Sequence, residues 1–197
     1  MRIATVALCM LLFSALVWAG IFRDDFEDGD LDGWQLADEG GDGKAEERGG
    51  ELMVTDVNRS LATLVFFNNG QNLKDFQLTV DGKMAKSIDN NPYMWIVWRA
   101  TDTVLAFNGY GPGDPIWISV ITRDFRFFGT AKIPFVFEIG RWYHIKLEMK
   151  KAQVTLWVDG KLIREVDWKN QPLSKSGKVG LGGGGAEVHF DNFVITG

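Results

Sequence analysis

The stretch HIKLEMKKAQVTLWVDGKLIREV, residues 144–166, carries the clearest structural signal in the chain. Residues 144–150 alternate strictly between polar and apolar side chains. A period of two is typical of a strand that buries one of its faces. Further on, the pair Asp159-Gly160 separates two more strand-like runs, and this pair favours a tight hairpin turn. The stretch therefore predicts three consecutive antiparallel strands.

The same alternation continues on both sides of this stretch, and no helical period persists after residue 20. Turn residues recur at intervals of roughly eight to twelve positions, as expected of a sandwich or barrel. The sequence therefore predicts an all-β fold in one domain over residues 20–197. Further strands are predicted at residues 77–80, 93–99, 117–123, 179–181 and 188–195.

The composition is that of a folded domain without affinity for nucleic acid. The chain has 197 residues, of which 46% are hydrophobic and 24% charged, and these fractions exclude disordered and collagen-like classes. Its 14 Phe, 8 Trp and 23 Gly favour strands joined by glycine turns. The net charge of −5 and the lack of a basic stripe argue against nucleic-acid partners.

The N-terminus is typical of an export signal. Arg2 precedes an apolar run over residues 3–16, and small residues flank a cleavage position after Ala19. We therefore expect a signal peptide at residues 1–19, an exported mature protein and no membrane attachment after cleavage. The alternative is an uncleaved membrane anchor. The single cysteine, Cys9, lies inside the signal, so the mature chain has no disulfide to stabilise it.

Three segments in order resemble the concanavalin A-like lectin/glucanase superfamily. They are DDFEDGDLDGW (residues 24–34), GRWYHIKL running into VTLWVDGK (residues 140–161), and GKVGL followed by VHFDNF (residues 177–193). The nearest branches are laminin-G-like jelly rolls and 3-keto-disaccharide hydrolase-like domains of secreted bacterial proteins. The resemblance implies a two-sheet antiparallel jelly-roll sandwich with adjacent first and last strands. Residues 85–138 match less closely, and the fold serves several functions.

The resemblance also implies a structural calcium ion where the two terminal segments meet. Calcium takes six to eight oxygen ligands from carboxylates and backbone carbonyls. By motif, Asp25, Glu27 and Asp191 would supply carboxylates, and Gly49 or Gly50 a carbonyl. The alternative is that Asp191 caps a turn and that the N-terminal acids form a solvated loop.

The second candidate site is a sugar-binding face on the strand at residues 93–99. Its odd positions predict a half-exposed face, whereas its even positions, Met94, Ile96 and Trp98, predict core. Aromatic rings that stack on sugars, together with a few polar groups, suit a ligand site. The alternative is that these rings complete the core. The candidate ligand-binding residues are Tyr93, Trp95, Arg99, Asn108, Tyr110, Trp117 and Arg123, with Asn108 and Tyr110 expected in a loop.

Catalytic motifs are weak in this sequence, and we identify no catalytic residue. The Glu-x-Asp-x-x-Glu motif of laminarinase-type glucanases begins at Glu165 but has Asn170 at its third acidic position. Glu187, His189 and Asp191 share one face of the last strand and are most simply an exposed polar face. Two histidines are too few for a multi-histidine zinc site.

Three functions remain open. We favour a non-catalytic, exported carbohydrate-binding domain whose partner is a glycan or polysaccharide. The second is a glycoside hydrolase of the 3-keto-disaccharide hydrolase-like type. The third is a structural or protein-interaction module.

Overall fold

Fifteen β-strands form the described part of the computed structural model, which covers residues 20–38, 42–57, 62–67, 73–102, 104–122, 127–171 and 173–197. The expected signal peptide and Arg123 lie outside these residues. In the same ranges, no helix is long and apolar enough to cross a membrane.

The strands form two antiparallel sheets, which confirms the expected jelly-roll sandwich. The eight-stranded sheet has the order β13 (Lys161–Asp167), β12 (Gln153–Val158), β11 (Tyr143–Lys150), β6 (Phe76–Ser87), β15 (Ala186–Thr196), β4 (Leu52–Asp56) and β3 (Lys44–Glu47), with β1 (Ile21–Asp24) also paired to β15. The seven-stranded sheet has the order β10 (Phe127–Ile133), β9 (Ile116–Thr122), β8 (Val104–Tyr110), β7 (Tyr93–Ala100), β14 (Lys178–Gly184), β5 (Thr63–Phe67) and β2 (Trp34–Asp38).

Alternate residues of both sheets fill the core between them, as the period of two predicts. In β11 the apolar positions are buried and the positions between them face outward. In β7 the expected core residues Met94, Ile96 and Trp98 are fully buried. Core packing of this kind leaves each sheet with one outer face that is free to carry function.

The predicted hairpin and the predicted pairing of the chain ends are confirmed. Val158 pairs with Lys161 across Asp159 and Gly160, which both adopt positive φ. The two positive φ angles fit the turn that matches strand twist in two-residue hairpins. At the chain ends, β1 pairs with β15 so that Ile21 lies opposite Thr196.

Two predictions in the middle of the chain are wrong. Asn108 and Tyr110 lie in β8 and not in a loop, and Tyr110 is fully buried against Phe137. The odd face of β7 is also more buried than expected, because Val97 and Arg99 are 0% and 3% exposed. These positions belong to the packed structure.

Candidate functional site

A row of paired residues crosses the outer face of the seven-stranded sheet at right angles to the strands. Trp95 of β7 pairs with Gly109 of β8, and Gly109 pairs with Trp117 of β9. The two tryptophans therefore stand on alternate strands with a glycine between them. Both rings are half-buried, so part of each remains accessible. Sequence reasoning identified both tryptophans but missed the glycine that separates them.

Glycines on this face let neighbouring side chains lie against the sheet. Gly182 of β14 pairs with Trp95, and a Cβ placed on it would lie 2.7 Å from Leu64 Cδ2. A Cβ placed on Gly180 would lie 2.8 Å from Phe66 Cδ1. Leu64 and Phe66 belong to a small apolar cluster that also includes Trp95. The outer face therefore carries an apolar layer of its own, separate from the core.

Polar groups border this apolar layer. The Tyr93 hydroxyl donates a hydrogen bond to Asp114 Oδ2 over 3.2 Å. The Lys132 ammonium lies 4.3 Å from the centre of the Trp117 ring, a cation–π contact. Lys178 lies 5.9 Å from the Phe66 ring centre. The sequence analysis missed Asp114 and Lys132, although Lys132 lies between the half-buried Ala131 and the buried Ile133 of β10.

Carboxylates are absent from the outward positions of this sheet's strands, within the residues that the structure describes. Outward neighbours of the tryptophans are apolar, glycine, serine or lysine residues. Hydrolysis of glycosides ordinarily needs two carboxyl groups on either side of the bond. The described part of this face can therefore present a ligand platform but lacks that pair.

Arg99 holds the structure together instead of facing a ligand. Its guanidinium donates hydrogen bonds to the carbonyl oxygens of Lys74 and Ser174, at 3.1 and 3.2 Å for Nε and Nη1. Its φ of +49° marks a β-bulge, which turns the residue away from the face of its neighbours. Burial lowers the pKa of Arg99, while Asp75, 3.6 Å away, acts in the opposite direction. A ligand has no access to this buried group.

The remaining predicted ligand residues divide into three cases. Tyr110 belongs to the core and cannot reach a ligand. Asn108 has a backbone that pairs with Ile96 and Ile118, while its side chain is outside the described set. Arg123 is also outside the described residues. The structure thus brings together Tyr93, Trp95 and Trp117 of the seven predicted residues.

The outer face of the eight-stranded sheet gathers charged residues. His189 contacts Glu51 through Nδ1 and Glu187 through Nε2, the second over 2.9 Å. Lys83 lies 3.5 Å from Glu51 and 4.2 Å from the Trp142 ring centre. Trp142 is 36% exposed and so lies at the surface of this sheet. Sequence reasoning missed Glu51, which directly precedes β4, and Lys83 of β6, because both are distant in sequence from His189.

A second cluster on this face contains the predicted calcium ligand Asp191. Burial raises the pKa of Asp191, and the carboxylates of Asp81, Glu51 and Glu27 raise it further, although the Asn192 N–H lowers it. Glu27 lies against Gly50, since a Cβ on Gly50 would be 2.5 Å from Glu27 Oε1. Glu27, Gly50 and Asp191, three of the four predicted calcium ligands, are therefore neighbours.

These residues do not form a complete calcium site. Two carboxylates and one carbonyl fall short of the six to eight oxygens that calcium takes. Asp25 is exposed, and the described residues contain no group of three or more acidic, histidine or cysteine side chains arranged to hold a metal. The calcium ion stays a prediction.

The N-terminal acidic loop is organised around Asp24 and Glu47. Asp24 accepts hydrogen bonds from the Phe26 N–H and from the Trp34 indole nitrogen, at 2.9 and 2.7 Å. Burial raises the pKa of Glu47 to about 7, and the carboxylates of Asp28 and Asp24 contribute. Asp24 thus anchors a core tryptophan, which is a structural role.

Solved structures with the same fold include carbohydrate-binding and carbohydrate-active proteins. A carbohydrate-binding module, CBM66 from Bacillus subtilis, superposes with a TM-score of 0.64 at 13% identity over 84% of this chain and 96% of that one. A putative glycosyl hydrolase from Parabacteroides distasonis gives 0.61 at 16% identity over 87% and 91%. A laminarinase catalytic domain from Thermotoga petrophila gives 0.63 at 11% identity over 89% and 96%. At these identities the likeness shows the fold alone.

A search of curated protein sequences finds no significant match to this chain. The sequence profile of the 3-keto-alpha-glucoside-1,2-lyase-like domain, in contrast, matches residues 22–196, nearly the whole described structure. Together with the jelly-roll sandwich, this match identifies a carbohydrate-related domain. The chain belongs to the family of 3-keto-alpha-glucoside-1,2-lyase-like domains.

Proposed function

We propose that this domain binds carbohydrate without cleaving it, through the outer face of the seven-stranded sheet. The observation that carries the proposal is the row in which Trp95 and Trp117 flank Gly109. Half-buried aromatic rings on a fixed sheet offer an apolar surface to sugar rings at small entropic cost. Tyr93 and Asp114 at the border supply the polar groups that sugar hydroxyls need.

The charge distribution supports binding over hydrolysis. The described strands place no carboxylate on the outward side of this sheet, so a pair of acidic groups is missing beside the aromatic rings. CBM66, a carbohydrate-binding module, has the same fold, which is consistent with this function.

A polysaccharide pull-down combined with a glycan array tests the proposal. We expect wild-type protein to bind at least one polysaccharide and Trp95→Ala to lose binding while keeping its circular dichroism spectrum. Trp157→Ala is the matched control, because Trp157 is half-buried on the other sheet with Lys146 4.6 Å from its ring centre. Equal binding by Trp95→Ala and wild type would refute the proposed face.

A lyase activity is the second candidate, favoured by the family match and by the charged outer face of the other sheet. In a 1,2-elimination a base takes the proton from C2 of a 3-keto sugar. The C1–O bond then breaks, a C1=C2 double bond forms, and the leaving oxygen gains a proton. Glu51 and His189, which contact each other, would be the candidate base and its proton partner.

Incubation with a 3-keto-glucoside distinguishes the two functions. Product release by wild type, lost in His189→Ala but retained in Trp95→Ala, would establish the lyase and displace the binding function. Absence of product with retained polysaccharide binding would support the binding function.

We also propose that the protein is exported. The support is the basic, apolar and small-residue pattern of residues 2–19. N-terminal sequencing of protein recovered outside the cytoplasm should begin at Gly20, and an intact Met1 would refute cleavage.

A further inference from the structure

The geometry of the outer face points to the shape of the ligand. We propose that the domain recognises an extended, uncharged polysaccharide chain that lies across the strands, and not a single sugar at a chain end. The proposal rests on the carbohydrate-binding function given above. It adds the direction, length and charge of the bound chain.

The direction follows from strand register. Lys132, Trp117, Gly109, Trp95 and Gly182 are successive partners on β10, β9, β8, β7 and β14. Partners in antiparallel strands lie along a line perpendicular to the strands. The two aromatic rings of the row are therefore offset across the sheet and not along one strand.

The length follows from the spacing of that row. Trp95 and Trp117 are two strands apart, which is about 10 Å between their backbones. This separation is comparable to a disaccharide repeat in an extended chain. If one tryptophan ring contacts the first sugar of the chain, the other ring therefore contacts the third. A single terminal sugar cannot contact both rings.

The residues between and beside the rings form a largely apolar surface. Gly109, between the tryptophans, adds no side chain of its own and is buried, so a crossing chain contacts the side chains around it and not its backbone. On the far side of Trp95, Gly182 again carries no side chain, and Leu64 lies against it. A crossing chain therefore meets a low apolar floor along the row.

The charge of the ligand follows from the lysines. Lys132 and Lys178 are exposed, and each lies over an aromatic ring, Trp117 and Phe66 respectively. Asp114 at the border is hydrogen-bonded to Tyr93. In the described part of the face, these charged groups are engaged with the protein. An uncharged chain can bind without an opposite charge for any of these lysine or aspartate side chains.

Calorimetric titration with unbranched β-1,3- and β-1,4-linked glucose oligosaccharides of two to six units tests the inference. We expect affinity for one linkage to rise about tenfold between two and four units, when the second ring is reached, and then to level off. Trp117→Ala should reduce the affinity for the hexamer about tenfold and leave that for the dimer within twofold. Trp157→Ala should change neither.

Two further variants guard against misfolding and test charge. Trp117→Phe keeps an aromatic ring in place and should show an intermediate loss at an unchanged melting temperature. Lys132→Ala uncovers the Trp117 ring and should increase the affinity for neutral chains about two- to fivefold, the strength of an exposed cation–π contact. A decrease in Lys132→Ala would contradict the neutral-ligand assignment.

The possible failures are distinguishable. Equal affinity for dimer and hexamer, with binding still abolished in Trp95→Ala, would overturn the extended-chain inference and leave carbohydrate binding intact. No binding to any of these oligosaccharides, to the glycan array or to insoluble polysaccharide would overturn the proposed function itself.

Discussion

Asp81 and Asp191 lie directly opposite each other on the neighbouring strands β6 and β15. Two like charges in opposite positions of an antiparallel pair destabilise it. His144 and Asn192 reduce this repulsion through contacts of 2.7 and 2.9 Å with Asp81. Burial is the largest cause of the raised pKa of Asp191, and the charge of Asp81 adds to it.

Asp191→Asn should therefore stabilise the protein at pH 8. We expect an increase of about 0.5–1 kcal/mol in the free energy of unfolding, because one member of the like-charge pair is removed. Urea denaturation measures it. The control is Asp159→Asn, since Asp159 accepts a hydrogen bond from the His144 N–H and forms an ion pair with Arg141. A lower stability of Asp191→Asn at pH 8 would show that the carboxylate has a favourable partner.

Calcium is the partner that the sequence resemblance predicts for Asp191. At a calcium concentration ten times the dissociation constant, the melting temperature should rise by roughly 3–6 °C over that in chelator. The rise should disappear in Asp191→Asn. Equal melting temperatures in calcium and in chelator would contradict the predicted structural calcium ion.

Glu47 should make stability depend on pH. Its pKa in the folded protein is about 7, raised mainly by burial from 4.5. The folded state therefore holds a proton that the unfolded state releases, and stability falls as pH rises from about 4.5 to 7. Glu47→Gln should flatten this fall and stabilise the protein at pH 8 by roughly 1–2 kcal/mol, after allowance for solvent screening. Thermal melts between pH 4 and 8 measure both proteins. An unchanged pH profile in Glu47→Gln would assign the dependence to another group.

Arg99→Ala should destabilise the protein strongly. The variant removes the buried guanidinium that donates hydrogen bonds to the carbonyl oxygens of Lys74 and Ser174. We expect a loss of about 2–4 kcal/mol in unfolding free energy, with sugar affinity unchanged for the folded fraction. Arg141→Ala is the control. Because the Arg141 side chain is 52% exposed, its removal should lower the unfolding free energy by less than about 1 kcal/mol. Reduced sugar affinity at intact stability would restore Arg99 to the ligand site.

Gly182→Ala should disturb the sheet beneath the aromatic row. A Cβ at this position would lie 2.2 Å from the Thr63 carbonyl oxygen, and backbone yields little. We expect a loss of about 1–3 kcal/mol, as in other overpacked sites. Gly20→Ala is the control, since a Cβ there meets nothing within 4 Å. Equal melting temperatures for the two variants would mean that β5 moves away from the added Cβ without loss of unfolding free energy.

The sequence predicted the strands that have one buried face. In β11, apolar residues alternate with polar ones and burial follows the same period, whereas in β7 burial alternates only from Tyr93 to Ile96. Prediction failed at Arg99 because the bulge interrupts that period. It also failed at Asn108 and Tyr110, for which a loop was expected, because they lie in β8 and its backbone is paired on both sides.

The candidate site was harder to predict than the fold, because it depends on register. Trp95 and Trp117 were identified from their strand faces, but only pairing through Gly109 places them in one row. In the same way, Glu51, directly before β4, and His189 of β15 are in contact although they are distant in sequence. A local pattern determines which side of a strand a residue occupies, whereas long-range pairing determines its neighbours.

The pairing of β1 with β15 brings the two ends of the described chain side by side, and the Gly197 N–H reaches the Gly20 carbonyl oxygen over 3.4 Å. A short linker could therefore join these ends, and the chain could be reopened at the exposed Asp159-Gly160 turn. Such a circular permutant would keep every strand neighbour while moving its new ends to the opposite edge of the eight-stranded sheet.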